Sequence, residues 1–385
     1  MAVRHLFLFV FVVLTAPALL STCKRGTSAA NDAFDRAALL TSIADGVVVP
    51  SVKRAAEEAI TLDAAADAYA SAASARAADV TTKRAAAQAA WKQTMLAWQA
   101  IEALQVGPAA LASDSPGGQG LREAVYVWPV VSECGVDTRI ADQSYAAGDF
   151  VATAEPAVRD LGALEYLLFR SDNMHACAAG GAVASAWAGL DAAEIAARRA
   201  AYAVILSEQV KAKTQALVDA WAAYRDSFIG GGQEALNQVF ASLYYIELKV
   251  KDRKIAVPAG LSLICSKTSC PELAESRWAS LSRRNVAVNV DTFAAVFSGG
   301  SGVGFDDFLV ARGAGDLATT ITEKITAAQA AIAALPGGMD APIAEDVAAL
   351  TAVYTAVKDL NDILKTQLIT ALNLRVPREG AGDND

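Results

Sequence analysis

Histidine is almost missing from this chain of 385 residues, which carries only His5 and His175. Once an amino-terminal signal takes His5 away, a zinc site with two imidazoles, such as His-Glu-x-x-His, is excluded, and a Ser-His-Asp triad has His175 as its single possible base. No Gly-x-Ser-x-Gly context accompanies it, and with Cys177 two residues further on His175 reads as loop structure. Basic charge is short as well: 33 Lys plus Arg stand against 42 Asp plus Glu, a net charge of -9, which excludes binding of nucleic acid through a basic surface. Aromatics make up only 7% of a sequence that is 54% hydrophobic, so its apolar content is mostly aliphatic, with alanine in the lead. Alanine has the smallest cost of entering a helix, and no alternating strand pattern competes, so the expected fold class is all-α.

Long hydrophobic runs are also lacking. Leu6 to Leu14, after Arg4 and His5, is too short to span a bilayer and reads as the core of an export signal over residues 1–23. Leu20-Ser21-Thr22-Cys23 resembles a lipoprotein box with Cys23 as the acylated residue, while Ala16-Pro17-Ala18 offers an ordinary cleavage site. Either route places the mature chain in the periplasm or on the outer cell surface, with a lipid anchor as its only membrane attachment. Export permits disulfides. Cys265 and Cys270 bracket a short polar loop and are expected to pair locally, leaving Cys134 and Cys177 to join two loops. A four-cysteine zinc site is the competing reading, but Cys-x-x-Cys spacing is absent.

Helical patterns broken by Gly and Pro clusters run along the rest of the chain: 34–49 ending before Pro50, two helices within 52–104, then 156–169, 183–228, 233–255, 272–284, 289–298, 316–334 and 342–372. The simplest architecture is two helical bundles, 34–180 and 181–377, followed by an acidic tail over 378–385 that is expected to be disordered. Ser298 to Gly304 is glycine-rich, but no Lys-Ser or Lys-Thr follows in the place a phosphate loop requires, so it reads as a turn. Asp306-Asp307 after it reads as helix initiation by the first aspartate.

Three segments place charge beside apolar faces. Trp91, Trp98 and Glu102 share one helical stripe; the tryptophans read as core, whereas a carboxylate there needs water, a partner or a ligand. In Leu161 to Phe169, Glu165 lies one turn from Leu161, Leu168 and Phe169, at the edge of a buried face. It is either part of a buried salt bridge or a cleft carboxylate able to bind metal or move a proton. Glu247 and Lys251 are spaced as an ordinary surface pair on a solvated helix face; the competing reading has Arg253 or Lys254 reaching across to neutralise Glu102 or Glu165.

Ala89-Ala90-Trp91, Trp98-Gln99-x-x-Glu102, Gly107-Pro108, Tyr126-x-Trp128-Pro129 and Leu164-Glu165-Tyr166-Leu167-Leu168-Phe169, in that order, resemble the imelysin, or iron-regulated protein A, family. Asp252-Arg253-Lys254, Gly304 to Leu309 and Leu364-Lys365-Thr366 extend the resemblance over about Phe34 to Pro377. It implies a bacterial periplasmic or outer-surface protein of two helical bundles, an iron-uptake role with a partner protein, and a metallopeptidase assignment resting on a Gly-x-His-x-x-Glu motif. At the matching positions Asp160 replaces the motif's glycine and Gly162 its histidine, so Glu165 alone carries over. The expected function is therefore that of a binding protein with a cleft lined by Trp98, Glu102, Tyr126, Trp128, Glu165 and Arg253, taking a small ligand or a metal ion. A bound metal would have Glu165, Glu102 and water as oxygen ligands, a set suited to hard ions such as iron or calcium. Two alternatives stand beside it: a metal-dependent hydrolase with Glu165 as general base, and a cell-surface interaction module.

Overall fold

Five aspartate or serine side chains, each standing one residue ahead of an apolar-periodic run, start helices as their chemistry dictates. Asp35, Ser132, Asp160, Asp191 and Asp346 accept hydrogen bonds from the backbone N–H groups of Ala38, Gly135, Ala163, Glu194 and Ala349. The computed structural model describes residues 34–377. The expected signal with Cys23 and the acidic tail lie outside the described residues. Among the described residues every regular element is helical and no strand occurs, as expected. The helices are α1 (Arg36–Ile43), α2 (Val49–Ser74), α3 (Val80–Glu102), α4 (Glu133–Asp142), α5 (Phe150–Thr153), α6 (Leu161–Phe169) and α7 (Ala182–Trp187). They continue with α8 (Ala192–Ile229), α9 (Gly232–Leu243), α10 (Ser282–Phe297), α11 (Phe305–Ala311), α12 (Gly315–Ala333), α13 (Val347–Ile363) and α14 (Ile369–Leu372). None of the described helices is long and apolar enough to cross a membrane.

From Asp35 onward the described chain forms one unit. Helix α2 lies along both α3 and α8, and α6, which carries Glu165, is packed by α3, α4 and α8. Trp91, Trp98, Tyr166 and Tyr202 are fully buried there, each worth about 1.5–3 kcal/mol or more of burial. Helix α10 packs against α3, and α12 lies against α13.

Local outcomes differ from the sequence pattern at several places. Pro50 does not end the first helix: the chain widens into a π-helical turn over Ala44–Val48, which accommodates the missing N–H, and runs on into α2. The segment before α6 is a 3-10 turn at Pro156–Val158, because Asp160 caps a new helix. A single helix spans 282–297 where two were expected, and Pro271–Leu273 is an isolated 3-10 turn. At 304–307 the third helical residue does the capping: the Gly304 N–H donates to Asp307 Oδ2 at 3.0 Å, while Asp306 accepts from the Asp307 N–H. Both expected disulfides, Cys134–Cys177 and Cys265–Cys270, are formed. His175 sits half-buried in a loop, edge-on to Trp187 at 5.7 Å.

Candidate functional site

Helix α6 is short and apolar on all sides, so its one charged residue is buried whichever way it faces. The Glu165 side chain points to the loop over residues 271–281, where its Oε1 accepts the Ala279 N–H at 2.9 Å; the Trp278 N–H adds to this hold. That loop is bent into shape by two non-glycine residues with left-handed backbones, Ser276 at φ 48° and Ser280 at φ 51°, a conformation costing roughly 1–2 kcal/mol each. They bracket the residues whose N–H groups turn toward Glu165. Burial pushes the Glu165 carboxyl up to about 8 against the pull of those N–H groups, and nearby Glu275 adds to the rise while Arg277 opposes it. Asp160 is likewise pushed up, to about 6, by burial, while it caps α6 and accepts the Val127 N–H at 3.0 Å. The aspartate in the place of the motif glycine is thus a helix cap.

In front of Glu165 lies a recess of about 310 Å³. Its aromatic walls are Trp128 and Trp278, its apolar walls include Val131, Val257 and Leu273, and Arg253 enters from a long π-helical segment over Ile246–Ile255. Arg277 also lines the recess but is paired to Glu133, which in turn accepts the Trp278 indole N–H at 3.1 Å. Gly162, in the histidine slot of the motif, is part of the floor. A Cβ at that position would start 2.6 Å from Val131 Cγ2, so a side chain there needs Val131 to move. Behind the recess, the Tyr166 hydroxyl donates to Asp137 Oδ2 at 2.6 Å, and Arg170 pairs with the same carboxylate at 3.7 Å and stacks on Trp278. A second cavity, of about 360 Å³ on the far side of the 271–282 segment, holds no buried charged side chain.

Of the six side chains expected to line one cleft, Trp128, Glu165 and Arg253 meet in this recess, and Trp98, Glu102 and Tyr126 do not. Glu102 is satisfied elsewhere: it accepts from Trp98 Nε1 at 2.9 Å, Arg122 Nη1 at 3.1 Å and the Tyr245 hydroxyl at 3.2 Å. The Tyr126 hydroxyl donates to Glu275 at 3.1 Å, and burial next to Glu275 and Glu165 holds that phenol well above its ordinary range. Glu275 is the centre of a network without a counterpart in the sequence reading. Lys254 reaches it at 3.0 Å and also donates to Gln99 and Asn289, while Asn285 donates to Glu275 at 3.0 Å. Lys254 therefore does cross to an acid, but the acid is Glu275. The expected surface pair Glu247–Lys251 is instead buried, because α13 covers the π-helical segment, bringing Tyr354 over Lys251, and the π-helical turn Leu364–Leu368 that follows brings Lys365 onto Glu247 at 2.5 Å. Trp278, Arg277 and Glu275 escaped the sequence reading because a loop that binds through backbone N–H groups has no periodic signature.

Among the described residues no three His, Cys, Asp or Glu side chains gather where they could hold an ion. Glu102 already has three donors, and Glu165 faces the recess without a second carboxylate ligand free to join it.

The fold and site define an all-α protein with a single buried carboxyl on the floor of an aromatic-walled recess. The Imelysin model, Peptidase_M75, matches residues 48–367, and the chain belongs to the imelysin family. Among solved structures it is similar to an imelysin-like protein from Psychrobacter arcticum 273-4, at 19% identity and a TM-score of 0.68, over 89% of this chain and 96% of that one. It is also similar to a protein from Parabacteroides distasonis ATCC 8503 provisionally named an iron-regulated protein A precursor, at 16% identity and a TM-score of 0.66, over 88% and 95% of the two chains. None of the curated proteins matches.

Proposed function

We propose that this chain is an extracytoplasmic ligand-binding protein of the imelysin family, serving iron acquisition, with the recess at Glu165 as its binding site. One observation carries the reading: a carboxyl that is only 5% exposed is held by backbone N–H groups rather than by a cation, and it faces a cavity large enough for a small molecule. A structural carboxylate at that depth ordinarily has a charged partner, as Glu102 does. The extracytoplasmic address draws support from the signal-like start and from two disulfides, which persist in oxidising compartments. The iron link draws support from the family and from the name carried by the Parabacteroides relative.

A hydrolase reading has one observation in its favour: a carboxyl titrating at about 8 inside a cleft is suited to general-base work near neutral pH. The two readings separate in one assay series. The mature chain is expected to leave a peptide library uncut, alone and with added ferric iron or calcium, and to carry a small molecule from the cell that native mass spectrometry detects. Ile264→Trp, at the half-open rim, is expected to displace it. Peptide cleavage that disappears in Glu165→Gln would establish the hydrolase instead.

A further inference from the structure

Resting on the binding reading above, we propose that the recess takes a small organic carboxylate with an apolar or aromatic body, its anionic end on Arg253 and the Glu165 carboxyl, its body between Trp128 and Trp278. The charge balance of the lining points this way. Glu133 is paired with Arg277, and Glu272 with Lys267 at 2.6 Å. Arg253 lines the same cavity and has no hydrogen-bond or ion-pair partner among the described residues. A half-buried guanidinium facing apolar walls, with its fork of donors unused, favours a planar anion that it can grip with two parallel bonds. The same guanidinium repels a bare metal cation.

The partner group on the floor is complementary. Glu165 is fixed by the Ala279 N–H on Oε1, and in its protonated form it has one O–H to donate. A short O–H···O⁻ bond to a ligand carboxylate uses that proton and removes the cost of a second buried charge. The rest of the lining asks for an apolar body: two indoles, Val131 and Val257, and a rim where Ile264 and Leu273 are 49% and 40% exposed. At the ~30 Å³ occupied by one water-sized group, about 310 Å³ holds roughly ten to twelve non-hydrogen atoms. That is the size of 3-phenylpropionate.

The groups that face Glu165 are Glu133 from α4, Tyr126 and Tyr166, Arg253 from the π-helical segment, and Glu272, Glu275 and Arg277 from the loop. The test is isothermal titration of the mature chain with 3-phenylpropionate, 3-phenylpropionamide and inorganic phosphate, with circular dichroism confirming that each variant is folded. At slightly acid pH the carboxylate is expected to bind at least about tenfold more tightly than the amide. Arg253→Met should remove most of that preference and Arg253→Lys should restore part of it. Glu165→Gln, which keeps a hydrogen-bond donor on the floor, should hold 3-phenylpropionate within about tenfold of the parent chain. Equal binding of acid and amide that ignores Arg253→Met, or a preference for phosphate, overturns the ligand class and leaves the recess as a binding site. No binding of any probe, with Ile264→Trp indistinguishable from the parent chain, overturns both.

Discussion

Glu102 and Glu165 are buried to nearly the same depth, 4% and 5% exposed, yet their surroundings treat them in opposite ways. Glu102 ends α3 against an indole N–H, a phenol and the Arg122 guanidinium, so its charge is neutralised and every oxygen is occupied. Glu165 meets backbone N–H groups on one side and an open recess on the other, and it holds its proton up to about 8. The first arrangement locks helices together; the second leaves one polar atom available to a visitor. Burial of a carboxyl is thus no measure of its role, and the donors that face it decide.

The contrast can be broken most forcibly at Lys254, the cation of the structural network. Lys254→Met leaves Glu275 buried without its countercharge and is expected to cost about 3–5 kcal/mol in urea unfolding; a loss below about 1 kcal/mol would show that Glu275 is not held as an ion. Arg122→Met should cost somewhat less, about 2–3 kcal/mol, since Glu102 keeps the Trp98 and Tyr245 donors. If Tm is unchanged, Glu102 is not the locked member of the pair.

At about pH 4, where the carboxyl is protonated in both states, the smallest effect is expected at Glu165 itself. Glu165→Gln keeps an oxygen for the Ala279 N–H and should there change stability by less than about 1 kcal/mol. The pH dependence should change instead. The folded chain holds this proton up to about 8, whereas an ordinary glutamate releases it at 4.5, so between those values the folded state binds more protons than the unfolded one. Stability contributed by this group therefore falls as pH rises from about 4.5 to about 8 and is level above. Glu165→Gln should flatten that part of the profile and be the more stable chain at about pH 9, measured by urea midpoints across the range. Parallel profiles for the two chains would mean that Glu165 is ionised in the folded protein at neutral pH.

Much of this architecture could be read in advance. The alanine-rich runs became α2, α3 and α8, and the pairing of the four cysteines followed from which of them stood close in sequence. The tryptophans on the Trp91–Trp98 stripe are core, and Glu165 lines a recess. The site was legible only in part, since Trp128 and Arg253 join Glu165 while Trp98, Glu102 and Tyr126 belong to sealed networks. Glu247 and Lys251 mislead because i,i+4 spacing shows that two charges can meet but not whether another helix lies over them.

Sequence alone determined the helical class, the sulfur pairing, and the loss of a histidine at position 162, since each depends on neighbours along the chain or on residue identity. Tertiary structure decided which carboxyl is satisfied and which is left facing a cavity. That choice depends on donors from distant segments, Arg122 and Tyr245 for one and the 278–279 backbone for the other, and the free energy of a buried charge is set by what surrounds it in space.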